Sequence, residues 1–153
     1  MWVPPEDKDP AVLQAPTRRS VALFGAVNLR DGRLVTLLIP LFEALSFEAF
    51  LRLLWRHRRS DRPMVIITDN APYHHSEELE PLLDLHRDGL RLDFLPPYSP
   101  KLNPIERVWK LLRRLCTHNV YFATLENLTE RVSHQLATWS KPNAVLKKLC
   151  CII

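Results

Sequence analysis

The chain of 153 residues is long enough for one domain with a hydrophobic core. Its hydrophobic content of 46% and charged content of 25% are ordinary for a soluble globular protein, and no apolar run reaches the length of a membrane span. The formal net charge of +4 is compatible with a nucleic-acid partner, although many basic proteins bind none.

The three cysteines are Cys116, Cys150 and Cys151. An odd count without CxxC spacing predicts neither a disulfide framework nor a zinc site. A reducing, cytosolic setting is therefore expected, and no membrane partner is.

The first predicted elements form a strand hairpin. Residues 1–19 are polar and broken by prolines, which predicts an irregular lead-in. Ser20–Leu29 and Arg33–Pro40 are rich in apolar residues and predict two strands, and Asp31-Gly32 between them is a strong hairpin signal. The near-continuous apolar character of both segments predicts burial on both faces of a sheet.

A helix, a strand, a second helix and another strand are predicted next. Ser46 can cap the first helix, whose apolar residues recur at helical spacing up to the basic run 56–59. Met64–Thr68 predicts a short buried strand. Ser76 can cap a helix that continues to about His86, and the alternation in Leu90–Leu95 predicts a half-exposed strand.

The last part of the chain is predicted to be helical. Helices are expected from Pro104 to about Cys116 and from Leu125 to about Trp139, followed by a basic tail at residues 141–153. Strands that alternate with helices predict an α/β fold, with a mixed or parallel sheet flanked by helices. Residues 20–140 would then form a single domain without an internal repeat.

Asp69 follows directly after the Met64–Thr68 strand. Ligands bind beyond the carboxyl ends of strands in open α/β sheets, so a carboxylate there is rigidly held and suits metal binding. The segment Asp69-Asn70-Ala71-Pro72 also fits a simple turn, because Asp and Asn favour turns. The strand position alone leaves both interpretations open.

Glu106 also has two interpretations. With Asn103 as the N-cap and Pro104 at the first helical position, Glu106 falls at N3, and this capping box explains it without catalysis. Alternatively, Glu106 lies at the edge of a basic groove that takes phosphates, since the basic residues of this helix lie off its apolar stripe. Plain solvation of the charged face is a third explanation of the same pattern.

The two carboxylates would act together if they shared a metal ion. Divalent ions held by carboxylates can clamp the attacking and leaving oxygens of a phosphoryl displacement, and Mg²⁺ and Mn²⁺ prefer oxygen ligands. A predicted helix and a predicted strand separate Asp69 from Glu106. That connection is long enough to return the chain to the same edge of the sheet.

Two sequence blocks carry a specific resemblance to a known family. The first runs from Thr68 to His74 (TDNAPYH), and the second from Leu95 to Lys110 (LPPYSPKLNPIERVWK). Together they resemble the DDE transposases, most closely the mariner superfamily and its bacterial insertion-sequence relatives. With Gly25-Ala26 and the Asp31-Gly32 hairpin, the resemblance covers residues 20–139.

The resemblance implies an RNase H-like fold and metal-dependent DNA strand cleavage and strand transfer at a two-metal site for Mg²⁺ or Mn²⁺. Asp69 and Glu106 match the second and third catalytic acids, which are metal ligands. Asn70 and His74 match supporting polar positions, although turn stabilisation explains them equally well, and His75 matches nothing and is expected at the surface. The candidate DNA-binding residues are Lys101, Arg107, Lys110, Arg113 and Arg114.

The resemblance also implies partners and a location. The partner is DNA, as transposon ends and target, and a homodimer is expected in a full-length context. A bacterial cytoplasmic, nucleoid-associated location follows from the same resemblance, with no membrane involved.

The family's first catalytic acid has no counterpart in this interpretation. It lies at the end of the first strand, upstream of a tryptophan-proline segment that Trp2-Val3-Pro4-Pro5 resembles, so the first strand is expected to be missing. Asp7 and Asp9 lie on the wrong side of Trp2, and Asp31 is expected in the hairpin turn. Loss of a strand between the first and third predicted strands would expose edges in mid-sheet and weaken metal binding.

Three functions therefore compete. The leading one is a transposase catalytic domain, N-terminally truncated and inactive alone. The second is a non-catalytic transposase remnant that binds nucleic acid or a partner, which predicts salt-sensitive DNA binding without metal-dependent cleavage. The third is an unrelated α/β hydrolase that uses His74 or His75, which the absence of a GxSxG motif disfavours.

Overall fold

The computed structural model describes residues 12–14 and 20–151. The predicted order of strands and helices between Ser20 and Trp139 is confirmed. In chain order the elements are β1 (Val12–Gln14), β2 (Ser20–Val27), β3 (Leu34–Ile39), α1 (Ala44–Arg56), β4 (Met64–Thr68), α2 (Glu80–Leu85), β5 (Leu90–Phe94), α3 (Ile105–Cys116), α4 (Leu125–Thr138) and α5 (Ala144–Leu149).

β1 lies in the segment that was predicted to be an irregular lead-in. Residues 1–11 and 15–19 of that segment lie outside the described residues, whereas Val12–Gln14 form a strand. β1 pairs antiparallel with the start of β2, with Leu13 opposite Val21, and β2 lies between β1 and β3. The edge of β2 that a missing strand was expected to leave open therefore carries β1.

The predicted hairpin connects β2 to β3. The Asn28 N–H donates to the Arg33 carbonyl and the Gly32 N–H donates to the Asn28 carbonyl, both at 2.8 Å. Gly32 has a φ of +77°, and a Cβ there would lie 2.0 Å from the Asn143 carbonyl oxygen, so the turn requires glycine. Asp31 Oδ1 accepts the Arg33 N–H at 2.9 Å, which confirms the turn role predicted for Asp31.

The chain divides into two compact units, the central unit (Ile39–Asn103) and the terminal unit (Met1–Leu38 with Pro104–Ile153). The core of the terminal unit is a cluster contributed by β2, β3 and helices α3, α4 and α5, with Trp109 among its fully buried members. In the central unit, α1 packs against the two short 3-10 segments that follow β4.

β4 and β5 form a separate parallel pair in the central unit, with Met64 opposite Leu90 and Thr68 opposite Phe94. The described strands are thus distributed over two sheets, one with the order β1-β2-β3 and the other with β4 and β5.

Burial along the strands differs in part from the prediction. Leu23 and Phe24 are adjacent and both buried, so β2 is covered on both faces as predicted. Leu38 in β3 is 48% exposed, and Val65 and Ile67 in β4 are 45% and 42% exposed, so full burial was the wrong prediction for these two strands. The burial of side chains alternates along β4 because only one face of the two-stranded sheet is covered within its unit.

Two helix starts illustrate when a capping residue can be predicted. α1 begins at Ala44 with Glu43 as the N-cap, three residues before the predicted N-cap, and Ser46 is buried inside the helix. Ser76 does cap the next helical segment, because its Oγ accepts the Glu78 N–H at 3.3 Å.

No helix in the described part of the chain is long and apolar enough to cross a membrane.

The predicted basic tail at residues 141–153 contains a helix, α5. Asn143 caps it, with Oδ1 accepting the Leu146 N–H at 3.0 Å. Leu146 and Cys150, four residues apart, are both fully buried in the core of the terminal unit. Such a short helix forms because tertiary packing covers its apolar face, which a basic composition conceals.

Candidate active site

β4 carries Asp69 to the carboxyl edge of its sheet. The Leu95 N–H donates to the Thr68 carbonyl at 2.8 Å, so the pairing of β4 and β5 continues to the last residue before Asp69. Asp69 and the loop that starts at Leu95 consequently leave the sheet at the same edge. This is the edge at which ligands bind in open α/β sheets, as the strand position predicted.

The Asp69 side chain is 36% exposed and is held by two neighbours. Its Oδ1 accepts the Ala71 N–H at 3.0 Å and lies 2.9 Å from His74 Nδ1. Partial burial raises the pKa of Asp69, but the hydrogen bonds from His74 and Ala71 and the charge of His74 outweigh burial and leave the pKa below its ordinary value. The carboxylate is therefore ionised at neutral pH and fixed in orientation.

His74 is buried in the 3-10 turn Pro72–His75. Its ring packs against Phe47 and Tyr73, with centroid distances of 4.3 and 4.5 Å. Nδ1 lies 3.1 Å from the carbonyl oxygen of Asp69 as well as near its carboxylate. Because both of these oxygens can only accept, Nδ1 carries the proton, and the imidazole ties the turn to the acid.

Replacing His74 with phenylalanine is expected to raise the pKa of Asp69. The variant keeps a ring against Phe47 but removes the donor to the carboxylate. A lowered pKa stabilises the fold above the ordinary value of 3.8, and this contribution is lost as pH falls through the folded pKa, so the wild type should lose more stability on acidification. An NMR titration of the carboxyl carbon measures the pKa, and equal values in the two proteins would contradict the contact.

Asn70 is fixed between the ends of the two strands. Its amide nitrogen donates to the Leu95 carbonyl, and its Oδ1 lies 3.1 Å from His75 Nε2. The exposed His75 ring stacks on Phe94 with a centroid distance of 4.1 Å. His75 was expected to be a surface residue without a role, and no sequence pattern indicated its contact with Asn70, because only the 3-10 turn brings the two residues together.

Glu106 lies in the first turn of α3 and is partly buried. α3 begins one residue later than predicted, with Pro104 as the N-cap. Glu106 is the second residue of the helix as bounded here, but Pro104 already has helical backbone angles (φ −59°, ψ −29°) while Asn103 is extended, so the capping-box interpretation stays a prediction.

The five candidate DNA-binding residues have different surroundings. Lys101 is exposed in the 3-10 turn Pro100–Leu102, while Lys110 and Arg114 are exposed and Arg113 is half-buried on α3. Arg107 instead donates to two backbone carbonyls at the end of α5, at 3.1 and 3.3 Å. A cation at a helix C-terminus is stabilised by the helix dipole, so Arg107 already has a structural role.

The structure joins His74 and Asn70 to the Asp69 edge but does not test the predicted pair of acids. Asp69 belongs to the central unit and Glu106 to the terminal unit. Among residues 12–14 and 20–151, no group of three or more His, Cys, Asp or Glu side chains is placed to hold a metal ion. The meeting of Asp69 with Glu106 therefore stays a prediction.

Solved structures that resemble this chain identify its fold. A protein chain in the Mos1 strand transfer complex is 18% identical to this chain, with a TM-score of 0.63. The match covers 98% of this chain and 44% of that one. The catalytic core domain of BIV integrase is 15% identical over 88% of this chain and 82% of its own, with a TM-score of 0.58. A chain in the simian T-cell lymphotropic virus intasome structure is 19% identical over 80% of this chain and 44% of its own length, with a TM-score of 0.58. The chain thus has the predicted RNase H-like α/β fold of integrase and transposase catalytic cores.

The sequence comparisons identify the family. The profile described as DDE superfamily endonuclease matches residues 1–129, and the chain belongs to this family, whose members generally use divalent metal ions. Uncharacterized protein y4pE/y4sA of Sinorhizobium fredii is 32% identical over 119 residues, which cover 78% of this chain and 82% of that protein. The uncharacterized 39 kDa protein of insertion element IS630 from Shigella sonnei is 31% identical over 97 residues, which are 63% of this chain but only 28% of that protein.

Proposed function

We propose that the chain supplies the catalytic domain for metal-dependent DNA strand cleavage and strand transfer in transposition. The observation that carries this proposal is the Asp69 carboxylate, which is ionised and oriented at the carboxyl edge of a parallel strand in a DDE family chain. In this function Asp69 and Glu106 are the two protein carboxylates that hold Mg²⁺ or Mn²⁺.

The donor set fits such an ion chemically. Within the described residues, the side-chain hydrogen bonds of Asp69 involve Oδ1, so Oδ2 is available to a ligand. Carboxylate oxygens are the hard donors that Mg²⁺ and Mn²⁺ prefer. A divalent ion held by these carboxylates would supply positive charge against the phosphodiester oxygens on which negative charge develops.

The chain's own side chains would prepare the site and hold the DNA. His74 lowers the pKa of the Asp69 carboxyl group and fixes its orientation, and Asn70 fixes the neighbouring strand ends. The exposed cations Lys101, Lys110 and Arg114 are suited to contact phosphates of transposon ends and target DNA. A homodimer in a full-length context is part of the same proposal.

We expect the 153-residue chain to have little or no DNA cleavage activity when it is tested alone. Asp31 is engaged in the hairpin turn, which removes one candidate for a third carboxylate. Asp7 and Asp9, which were not expected to substitute either, lie outside the described residues. Two carboxylates hold divalent ions less well than three, because fewer ligands replace the water shell of the ion.

The test measures DNA binding and Mn²⁺-dependent nicking of supercoiled plasmid with the same protein preparation. Binding should weaken linearly on a log scale with salt, and any nicking should disappear in Asp69→Asn. Asp93→Asn is the matched control, because Asp93 is an acid on the neighbouring strand β5 that pairs with Arg91.

Each outcome of this test decides between stated alternatives. Nicking that survives Asp69→Asn would refute the proposed site. Strong nicking by the wild type that Asp69→Asn abolishes would support the site and contradict the expected weakness of the chain alone. Salt-sensitive binding on which Mn²⁺, Asp69 and Glu106 have no influence would favour a non-catalytic DNA-binding remnant.

A further inference from the structure

The first turn of α3 is bonded to the end of α5 by three contacts. The Arg107 guanidinium donates to two backbone carbonyls there, at 3.1 and 3.3 Å. In the opposite direction, the Cys150 thiol donates to the Pro104 carbonyl at 3.6 Å. Residues on both sides of Glu106 are therefore held by partners that lie 42 to 46 positions away in the chain.

The chemistry of each contact suits a fixed connection. The last carbonyls of a helix have no partner within it, and the fork of N–H groups on a guanidinium can bind two of them at once. Burial raises the pKa of the Cys150 thiol, so the thiol keeps its proton at neutral pH and can donate it. The Pro104 carbonyl also accepts the Arg107 N–H at 3.1 Å, so α5 and the first turn of α3 share this acceptor.

α5 is itself fixed by burial. Leu146 and Cys150 are both 0% exposed in the core of the terminal unit. A helix of 6 residues is not stable by itself, so this burial decides where its end lies. α5 follows residues 1–129, which the family profile matches, so the family match assigns it no role.

The first turn of α3 is the part of the helix that most needs an anchor. The chain enters the terminal unit at Pro104, and the buried residues within α3 begin at Val108. Glu106 lies between these two positions, in a turn of the kind that frays easily. A metal ligand must be held within about 0.5 Å of its productive position by the groups around it.

We propose that Arg107 is a positioning residue for metal binding, which fixes the first turn of α3 against α5 and thereby places the Glu106 carboxylate. This inference rests on the proposed function, in which Glu106 is a metal ligand, and adds to it a role for the C-terminal helix. Arg107 is also a candidate for phosphate contact, but that role would affect DNA binding and not the binding of Mn²⁺ in the absence of DNA.

The test measures the Mn²⁺ affinity of the full chain without DNA by electron paramagnetic resonance. Arg107→Met removes both side-chain hydrogen bonds and should raise the dissociation constant about 10-fold, the lower end of the effect of residues that support metal ligands. Arg107→Lys retains a donor but lacks the planar fork, so it should recover part of the affinity. Lys148→Met is the matched control, because Lys148 is an exposed cation in the last turn of α5, and its Mn²⁺ affinity should equal that of the wild type.

The sign of the effect separates positioning from simple electrostatics. A cation next to a metal site repels the ion, so loss of the Arg107 charge would by itself tighten Mn²⁺ binding. Weaker binding in Arg107→Met therefore indicates a displaced ligand. Unchanged or tighter binding in this variant would overturn the inference.

Amide hydrogen exchange of the metal-free protein separates a local effect from a general loss of stability. In Arg107→Met, protection of the amide at position 107 should fall, while that of Val132 in the core of the terminal unit should stay the same. Equal losses of protection at both positions would show that Arg107 only stabilises the unit, and would overturn the positioning role.

Glu106→Gln in the same Mn²⁺ titration distinguishes the two proposals. If Glu106→Gln weakens binding and Arg107→Met does not, the positioning role is refuted while the proposed function stands. If the wild type binds no Mn²⁺, or if Glu106→Gln leaves the affinity unchanged, the proposed function is refuted and the positioning role with it.

Discussion

Replacing Trp109 with alanine is expected to lower the free energy of unfolding by about 3–5 kcal/mol, the usual cost of truncating a fully buried tryptophan. Trp109 is 0% exposed and lies in the core cluster of the terminal unit, among side chains from β2, α4 and α5. The loss combines the removed transfer free energy with the cavity that remains. Urea unfolding followed by circular dichroism measures it.

The contact between Trp109 and Gly25 makes this prediction specific. A Cβ at Gly25 would lie 2.3 Å from Cη2 and 2.6 Å from Cζ2 of the indole, so Gly25→Ala alone should cost about 1–3 kcal/mol through overpacking. Phenylalanine lacks the part of the ring that these two atoms form. Gly25→Ala should therefore cost much less in a Trp109→Phe background than in the wild type.

A double-mutant cycle of these two substitutions gives the coupling energy directly. Trp109→Phe also removes a buried indole N–H for which residues 12–14 and 20–151 provide no hydrogen-bond partner, so this substitution should cost less than the lost volume suggests. Equal costs of Gly25→Ala in the two backgrounds would mean that β2 and α3 do not pack as described.

The elements with strong local signals were predicted from the sequence. β4 has the predicted bounds, Met64–Thr68, because apolar β-branched residues end abruptly at Asp69 and Pro72. The Asp31-Gly32 turn was also confirmed, because a left-handed backbone conformation requires glycine. In both cases the chemistry of a few adjacent residues decides the structure.

The elements that depend on distant contacts were not predicted. α5 lies in a basic segment, and only the burial of Leu146 and Cys150 in the core makes it helical. Ser46 is an apt capping residue, but the Phe47 N–H already bonds to the Glu43 carbonyl at 3.0 Å, so the helix has started before it. Propensity is a weak guide where tertiary packing selects the start of a helix.

The candidate site shows the same division. The position of Asp69 followed from the end of a strand, whereas its contact with His74 depends on a 3-10 turn that the sequence did not indicate. Glu106 could be placed in the first turn of α3, but its place in the helix is the same for a capping residue and for a metal ligand. The role of Glu106 therefore depends on a contact between residues far apart in the chain.

Loss of either Asp69 or Glu106 is expected to abolish one and the same Mn²⁺ site. Each should raise the dissociation constant for Mn²⁺ by at least about 10- to 100-fold, since substitution of residues that only support metal ligands has an effect of that size. The double variant should bind Mn²⁺ no more weakly than the weaker of the two single variants, because either single substitution already removes a site to which both carboxylates contribute. Asp93→Asn is again the control, as its carboxylate pairs with Arg91.

Mn²⁺ titrations of the wild type, Asp69→Asn, Glu106→Gln and the double variant, followed by electron paramagnetic resonance, test the central claim most directly. We expect one site in the wild type that each single substitution removes without further loss in the double variant. Unchanged Mn²⁺ affinity in Glu106→Gln, or separate losses that add in the double variant, would show that the two acids do not hold a common ion.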